Sequence, residues 1–170
     1  PVIALICWLR GAPAGAYRRW ISIGLVFSLG GDILLDIPEA RLANQFVLGL
    51  GSFLIGHLAY VLAYTSDTRR LAPASLLLAM VCGGGMFWAL NSGPEGLGAL
   101  FVPVALYALT ISAMLWRALA RSGVEGIPRD SVLLAAAGAL LFVASDSMIG
   151  INRFVQPFDE ARYAIIITYW

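Results

Sequence analysis

Five uninterrupted apolar stretches, at 20 to 37, 46 to 64, 72 to 90, 97 to 116 and 131 to 151, divide most of the chain into pieces of bilayer-crossing length. A hydrocarbon core of about 30 Å takes about 20 helical residues to cross, and within it every backbone N–H and C=O must be bonded inside the segment. A chain cut this way has one route to a stable fold, an all-α polytopic bundle of transmembrane helices. Composition agrees: 60% of residues are hydrophobic and 12% charged, against about 25% charged in soluble domains. A shorter apolar run at 1 to 9 and another opening at 161 stop at the chain ends, and there is no initiator methionine. The expectation is a single transmembrane domain over 1 to 170, truncated at both ends, with short loops and no linker, repeat or low-complexity tract. The opening run is too short to identify as a signal peptide.

Arginine orients the bundle. Segments 10 to 19, 65 to 70 and 117 to 130 hold Arg10, Arg18, Arg19, Arg69, Arg70, Arg117, Arg121 and Arg129, whereas the alternate segments hold only Arg41, Arg153 and Arg162. Short loops rich in Arg stay on the cytoplasmic side, so the first complete helix runs outward. All eleven basic residues are Arg, which points to a GC-rich bacterial genome and hence to a multi-pass protein of a bacterial inner membrane. A net charge of +1, with no basic stripe beyond the loop clusters, excludes a nucleic-acid partner; membrane lipids are the surroundings.

Cys7 and Cys82 lie alone in apolar runs without CxxC spacing, and buried free thiols are expected. Gly49, Gly51, Ser52 and Gly56, and then Gly83, Gly84 and Gly85, are small residues of the kind that let helix backbones approach in lipid. Pro103, inside the run from 97, is expected to kink that helix.

Carboxyl groups inside such runs are costly, and an intramembrane acid is a functional candidate by default. Asp32 lies within GLVFSLGGDILLDI and Asp146 within AAAGALLFVASDSMIGI. At 3.6 residues per turn, Ser28, Asp32 and Asp36 share one face of the first complete helix. Phe53, His57, Tyr60 and Tyr64 form a stripe on the next, and Gly138, Phe142, Asp146, Ile149 and Arg153 another on the helix from 131. With a rise of about 1.5 Å per residue, Asp32 lies about 6 Å deeper than Asp36 and close to the depth of Asp146. His57, the only histidine, falls near mid-membrane. The four can face one polar cavity open toward the outer half of the bilayer. With no Lys in the chain and no Arg inside a run, the two deep aspartates lack an obvious structural counterion. Asp36, next to Pro38 and Glu39, also fits a solvated helix end, and His57 also fits a hydrogen-bonded strut between helices.

GLVFSLGGDILLDIP, FVLGLGSFLIGHLAY and GALLFVASDSMIGINRF together resemble the YhhN family of membrane proteins, which includes the lysoplasmalogenases. The blocks occur in the family's order and the resemblance covers about the whole chain. Its signature pairs are matched here by Gly31 and Asp32, His57 and Tyr60, and Ser145 and Asp146. The resemblance implies about eight helices in the full-length protein, of which roughly seven are represented here, and hydrolysis of the vinyl ether bond of a lysophospholipid substrate. The products would be a fatty aldehyde and a glycerophosphoethanolamine or glycerophosphocholine.

The residue chemistry suits that reaction without a cofactor. A vinyl ether hydrolyses when a general acid protonates its alkene carbon and water captures the resulting oxocarbenium ion, which calls for one protonated carboxyl group and one carboxylate. Asp32 and Asp146 are the candidate catalytic pair, either one being the acid. His57, Tyr60, Ser28 and Ser145 would orient the site, and Asp36 would sit at its mouth. Arg153, with Asn152 beside it, is the candidate for the substrate phosphate, since guanidinium matches phosphate geometry; a helix-end Arg reaching to the interface reads equally well. Two other classes stay open: a metal-dependent intramembrane lipid hydrolase, disfavoured by the single histidine, and a proton-coupled transporter, disfavoured by the lack of an internal repeat.

Overall fold

A computed structural model describes residues 15–156, and these are helical throughout apart from short connections, with no strand among the described residues. The five helices are α1 (Ala16–Asp36), α2 (Gln45–Asp67), α3 (Pro73–Asn91), α4 (Phe101–Ala120) and α5 (Arg129–Phe154), with a 3₁₀ turn at Gly98–Leu100. Each complete apolar run thus becomes one helix. The two terminal runs, which raised the expected number to seven, lie outside the described residues. Four stretches are long and apolar enough to cross a membrane: Gln45–Asp67, Pro73–Asn91, Gly98–Ala120 and Arg129–Phe154. The 21-residue α1 has the length but carries Arg18, Arg19, Asp32 and Asp36. The chain is an integral membrane protein.

Local chemistry sets the helix ends. α1 stops at Asp36 because Ile37, held extended at φ −72° and ψ 126°, precedes Pro38, and a residue before proline is pushed out of the helical region. α3 opens on Pro73, where the missing N–H would have had no intrahelical acceptor anyway. Pro103 does not kink a continuous helix, contrary to expectation. It lies in the first turn of α4, directly after the 3₁₀ turn, so the residue it deprives of a hydrogen bond is at the break and not in the helix interior.

By packing, the chain divides after Arg69 into two compact units. In the first, α1 and α2 lie antiparallel: Gly24 faces Tyr60, Gly31 faces Phe53 and Leu35 faces Gly49, the α2 number falling as the α1 number rises. Ser52 Oγ donates to the Phe27 carbonyl at 2.6 Å, made possible by that close approach.

In the second unit, Gly83 of α3 packs against Ser112 of α4, and Gly150 of α5 against Leu90 of α3. Ala72 has a left-handed backbone at φ 43°, unusual for a residue with a Cβ. The two carbonyls before it are clamped: Trp116 Nε1 donates to Leu71 O at 2.5 Å and Arg117 to Arg70 O at 2.7 Å. Arg121 donates to the Ser131 carbonyl at 2.9 Å and to its hydroxyl at 2.8 Å. Arg117 and Arg121 are both buried, and Arg117 lies in the last turn of α4. The reading of these arginines as loop charges, with no Arg inside a span, is corrected accordingly.

Large apolar side chains such as Leu77, Val81, Leu134 and Val102 are exposed along these helices, the expected pattern where lipid replaces water around the bundle. Cys82 shares that outer surface. It is a free thiol, exposed and not buried, because an isolated cysteine behaves as a small hydrophobe and lipid satisfies it as well as a protein core. Cys7 lies outside the described residues.

Candidate active site

In the first unit the expected stripe on α2 is buried as a block: Phe53, His57, Tyr60 and Tyr64 all lie inside, His57 with no exposed surface. Their spacing of three and four residues stacks them along one face. The Phe53 and His57 rings stack at 6.4 Å between centroids and 22° between planes, and the Tyr60 ring follows at 6.4 Å from His57. Across from them on α1, Ser28 is buried and its Oγ lies 3.3 Å from Tyr60 Oη. Gly56 allows this meeting, since a Cβ there would stand 3.2 Å from both Ser28 Oγ and the Gly24 carbonyl.

One turn along α1 from Ser28, Asp32 is half-buried. Beside it Gly31 offers a flat surface to Phe53, whose ring carbons would stand 2.6 Å from an added Cβ. Asp36, the last residue of α1, is exposed. Burial therefore falls along the face in the order Ser28, Asp32, Asp36. Ser28, Asp32, His57 and Tyr60 form one polar cluster in an otherwise apolar helix pair.

In the second unit Asp146 is half-buried on α5 and accepts a hydrogen bond on Oδ2 from the hydroxyl of Tyr107 on α4. Ser145 is fully buried, and its hydroxyl has no hydrogen-bond partner among the described residues. Asn152 is half-buried and Arg153 exposed at the end of the helix. The expected stripe through Gly138, Phe142, Asp146, Ile149 and Arg153 is rotated: Gly138 and Arg153 are exposed, and the buried face runs through Ala135, Ala139, Ser145 and Gly150. Small residues take the protein side because they permit close backbone contact, while Leu133, Leu134, Leu140 and Leu141 turn outward.

Tyr107 is the polar residue that sequence reasoning missed. The usable signal was indirect. An aspartate inside a span needs a donor, and a tyrosine on the neighbouring helix is one of the few side chains that can supply it from an apolar body. Among the described residues no group of three or more His, Cys, Asp or Glu is placed to hold a metal ion. Chemically, the first unit offers a carboxyl group and an imidazole packed between aromatic rings, and the second a carboxyl group that accepts from a phenol.

The family model for the YhhN family matches residues 1–170. A protein named lysoplasmalogenase from Mycobacterium bovis is 38% identical over 166 residues, which is 93% of this chain and 57% of that protein. The lysoplasmalogenase TMEM86B of Sus scrofa is 34% identical over 175 residues, 100% of this chain and 67% of the relative. That of Homo sapiens is 34% identical over 172 residues, with the same coverage of 100% and 67%. The chain therefore spans 57% of the length of the mycobacterial relative. No solved structure matches.

Proposed function

The chain belongs to the YhhN family, and from that membership we propose that it contributes the hydrolytic core of an intramembrane enzyme, in a bacterial inner membrane, acting on lysoplasmalogen-type lysolipids. The observation that carries this reading is identity of 34 to 38% to proteins named lysoplasmalogenase across most or all of the chain. The polar groups support it. Vinyl ether cleavage needs no strong nucleophile and no redox centre, only a proton donor, a proton acceptor and water held where bulk solvent is sparse.

Asp32 and Asp146 supply the carboxyl groups. One gives its proton to the alkene carbon distal to the ether oxygen, and the electron pair of the double bond forms the new C–H bond, leaving an oxocarbenium ion. Water bonds to the cationic carbon while the second carboxylate takes a water proton. As the hemiacetal C–O bond breaks, the second carboxyl group returns its proton to the departing glycerol oxygen and the hemiacetal hydroxyl gives its proton to the first carboxylate, which releases fatty aldehyde and the glycerophospho alcohol and restores both groups. A carboxylate beside the cation stabilises it where it forms, and in a site of low dielectric such stabilisation is the largest part of catalysis. Tyr60, Ser28 and His57 orient the Asp32 end, Ser145 lies beside Asp146, Asp36 stands at the mouth, and Arg153 with Asn152 meets the phosphate.

The test is to incubate the purified full-length protein with a panel of lysolipids, reading aldehyde and free fatty acid separately. Aldehyde from vinyl ether substrates alone is the expected result; fatty acid release would identify an esterase instead. Asp32→Asn and Asp146→Asn should each lower turnover by at least about 100-fold, the lower bound for loss of a general acid or base, with folding intact. Near-parental turnover by either variant would discard the two-carboxylate mechanism.

A further inference from the structure

Within the second unit, the connection that follows α3 meets the last turn of α5. A Cβ at Gly93 would overlap the carbonyl oxygen of Phe154 and lie 3.1 Å from its carbonyl carbon. Where another residue carries that carbon, glycine turns a hydrogen toward the oxygen, and Cα–H···O contacts of this kind recur where helices approach closely. Conformation is not what calls for glycine here. Gly96 and Gly98 have left-handed backbones at φ 60° and 49°, whereas Gly93 does not; at position 93 the close approach alone excludes a side chain. The obstacle is main chain, which cannot swing aside as a side chain would.

One turn earlier on α5, Gly150 lies under Leu90 of α3, both of whose methyl carbons would stand 3.0 Å from an added Cβ. The contacts at 150 and 154 bracket Asn152 and Arg153. The helix end has little else of its own to fix it. It closes on Val155 at φ −108° and ψ −64°, without the glycine that commonly ends a helix, and the N–H groups of Val155 and Gln156 share the Ile151 carbonyl at 2.9 and 3.0 Å. The surface it rests on is firmer. The Ser92 N–H and hydroxyl both donate to the Trp88 carbonyl, at 3.0 and 2.8 Å, and Leu90 and Leu97 on either side of the turn are buried.

We propose that Gly93 is a positioning residue for the substrate: by seating Phe154 against its bare Cα it sets where the last turn of α5 stands, and so where Arg153 meets the substrate phosphate. This rests on the reading above that Arg153 binds that phosphate. A guanidinium recognises phosphate through a planar fork of donors, so its hold depends on how the turn beneath it is aimed. Any Cβ at 93 drives the two backbones apart until an ordinary C···O separation of about 3.3 Å is restored. Asp146 lies about two turns before Phe154 on the same helix, so the displacement falls on head-group binding and not on the reacting carboxyl group.

Gly93→Ala in the full-length protein tests this against two substrates of equal chain length, a vinyl ether lysolipid and the matching vinyl ether of glycerol, which lacks phosphate. For the lysolipid, KM should rise about 10-fold, the smaller loss expected for a hydrogen bond to a charged group, with kcat unchanged. For the glycerol ether both constants should stay at the parental values. Arg153→Gln should give the same pattern, and Gly93→Ala added to it should raise KM no further, because a residue that acts through another is non-additive with it. Leu90→Ala removes the side chain that rests on Gly150 without introducing a clash; it serves if Gly93→Ala fails to fold, and should raise KM for the lysolipid alone. A KM rise shared by both substrates, a fall in kcat, or additive effects of Gly93→Ala and Arg153→Gln would each overturn the proposal. Parental KM in Arg153→Gln overturns the phosphate reading and this role with it. A raised KM there beside a parental KM in Gly93→Ala, or in Leu90→Ala where it stands in, overturns this role alone. A parent protein that releases no aldehyde removes the hydrolytic reading and the proposal together.

Discussion

Ser28 Oγ and Tyr60 Oη lie 3.3 Å apart between α1 and α2, at the level where Gly56 brings the two backbones together. The pair is one helical turn from Asp32 on α1. A hydroxyl pair so placed ties the helices and also holds polar atoms beside a carboxyl group, and the two effects can be separated.

Tyr60→Phe keeps the ring against Gly24 and removes only the hydroxyl. Stability should fall by about 0.6 kcal/mol, the mean for an interhelical hydrogen bond, while kcat falls by about 10-fold or more, as for loss of a group that orients an acid. Thermal melting in detergent and initial-rate kinetics read the two separately. An unchanged rate would place the hydroxyl pair outside the site.

His57→Ala should be far more damaging than Asp36→Asn. His57 has no exposed surface and is packed between Phe53 and Tyr60, so truncation removes both an orienting group and a core side chain, at roughly 3 kcal/mol or more by analogy with aromatic-to-Ala changes. Asp36 is exposed at a helix end, and its amide should cost less than about 0.5 kcal/mol. Activity and melting temperature of both variants decide the order, and the opposite order would contradict the depth assigned to each.

Gly31→Val and Gly51→Ala separate packing from conformational freedom. A Cβ at Gly31 would stand 2.6 Å from ring carbons of Phe53, while nothing lies within 4 Å of one at Gly51. Overpacking at the first should cost about 1–3 kcal/mol and lower activity through the adjacent Asp32. The second should be neutral or stabilising by up to about 1 kcal/mol, since alanine favours helix over glycine. Equal melting temperatures for the two variants would refute the α1/α2 contact.

Labelling with a membrane-impermeant thiol reagent checks orientation. With Cys7 and Cys82 first changed to Ser, Glu95→Cys should react from outside intact cells and Val124→Cys should not. The inverse result would turn the arginine-rich end outward.

Much of this fold is legible because lipid simplifies the code. Each apolar run had to close its own backbone hydrogen bonds, so run lengths translated into α1 to α5 with end shifts of a few residues. The His57 stripe was equally readable, since its aromatic side chains recur at helical spacing. The face of α5 was harder. Spacing from Asp146 selected Gly138 and Arg153, but in a bundle without water the buried side is chosen by size, and Ala135, Ala139 and Ser145 won. Tyr107 was hidden for a different reason: its hydrogen bond joins two helices, and no local pattern records which tyrosine will stand opposite which acid. Arg117 and Arg121 looked like loop charges because charge alone does not reveal that their donors are satisfied by the chain's own carbonyls.

Those two guanidinium groups bond to Arg70 O and to Ser131, so they are fasteners of the second unit. They staple the connections on which α3 and α5 begin. Swapping them for neutral or acidic residues to reprogram orientation would unpick those connections as well. An orientation rewritten at these two positions would therefore be read against a loosened fold.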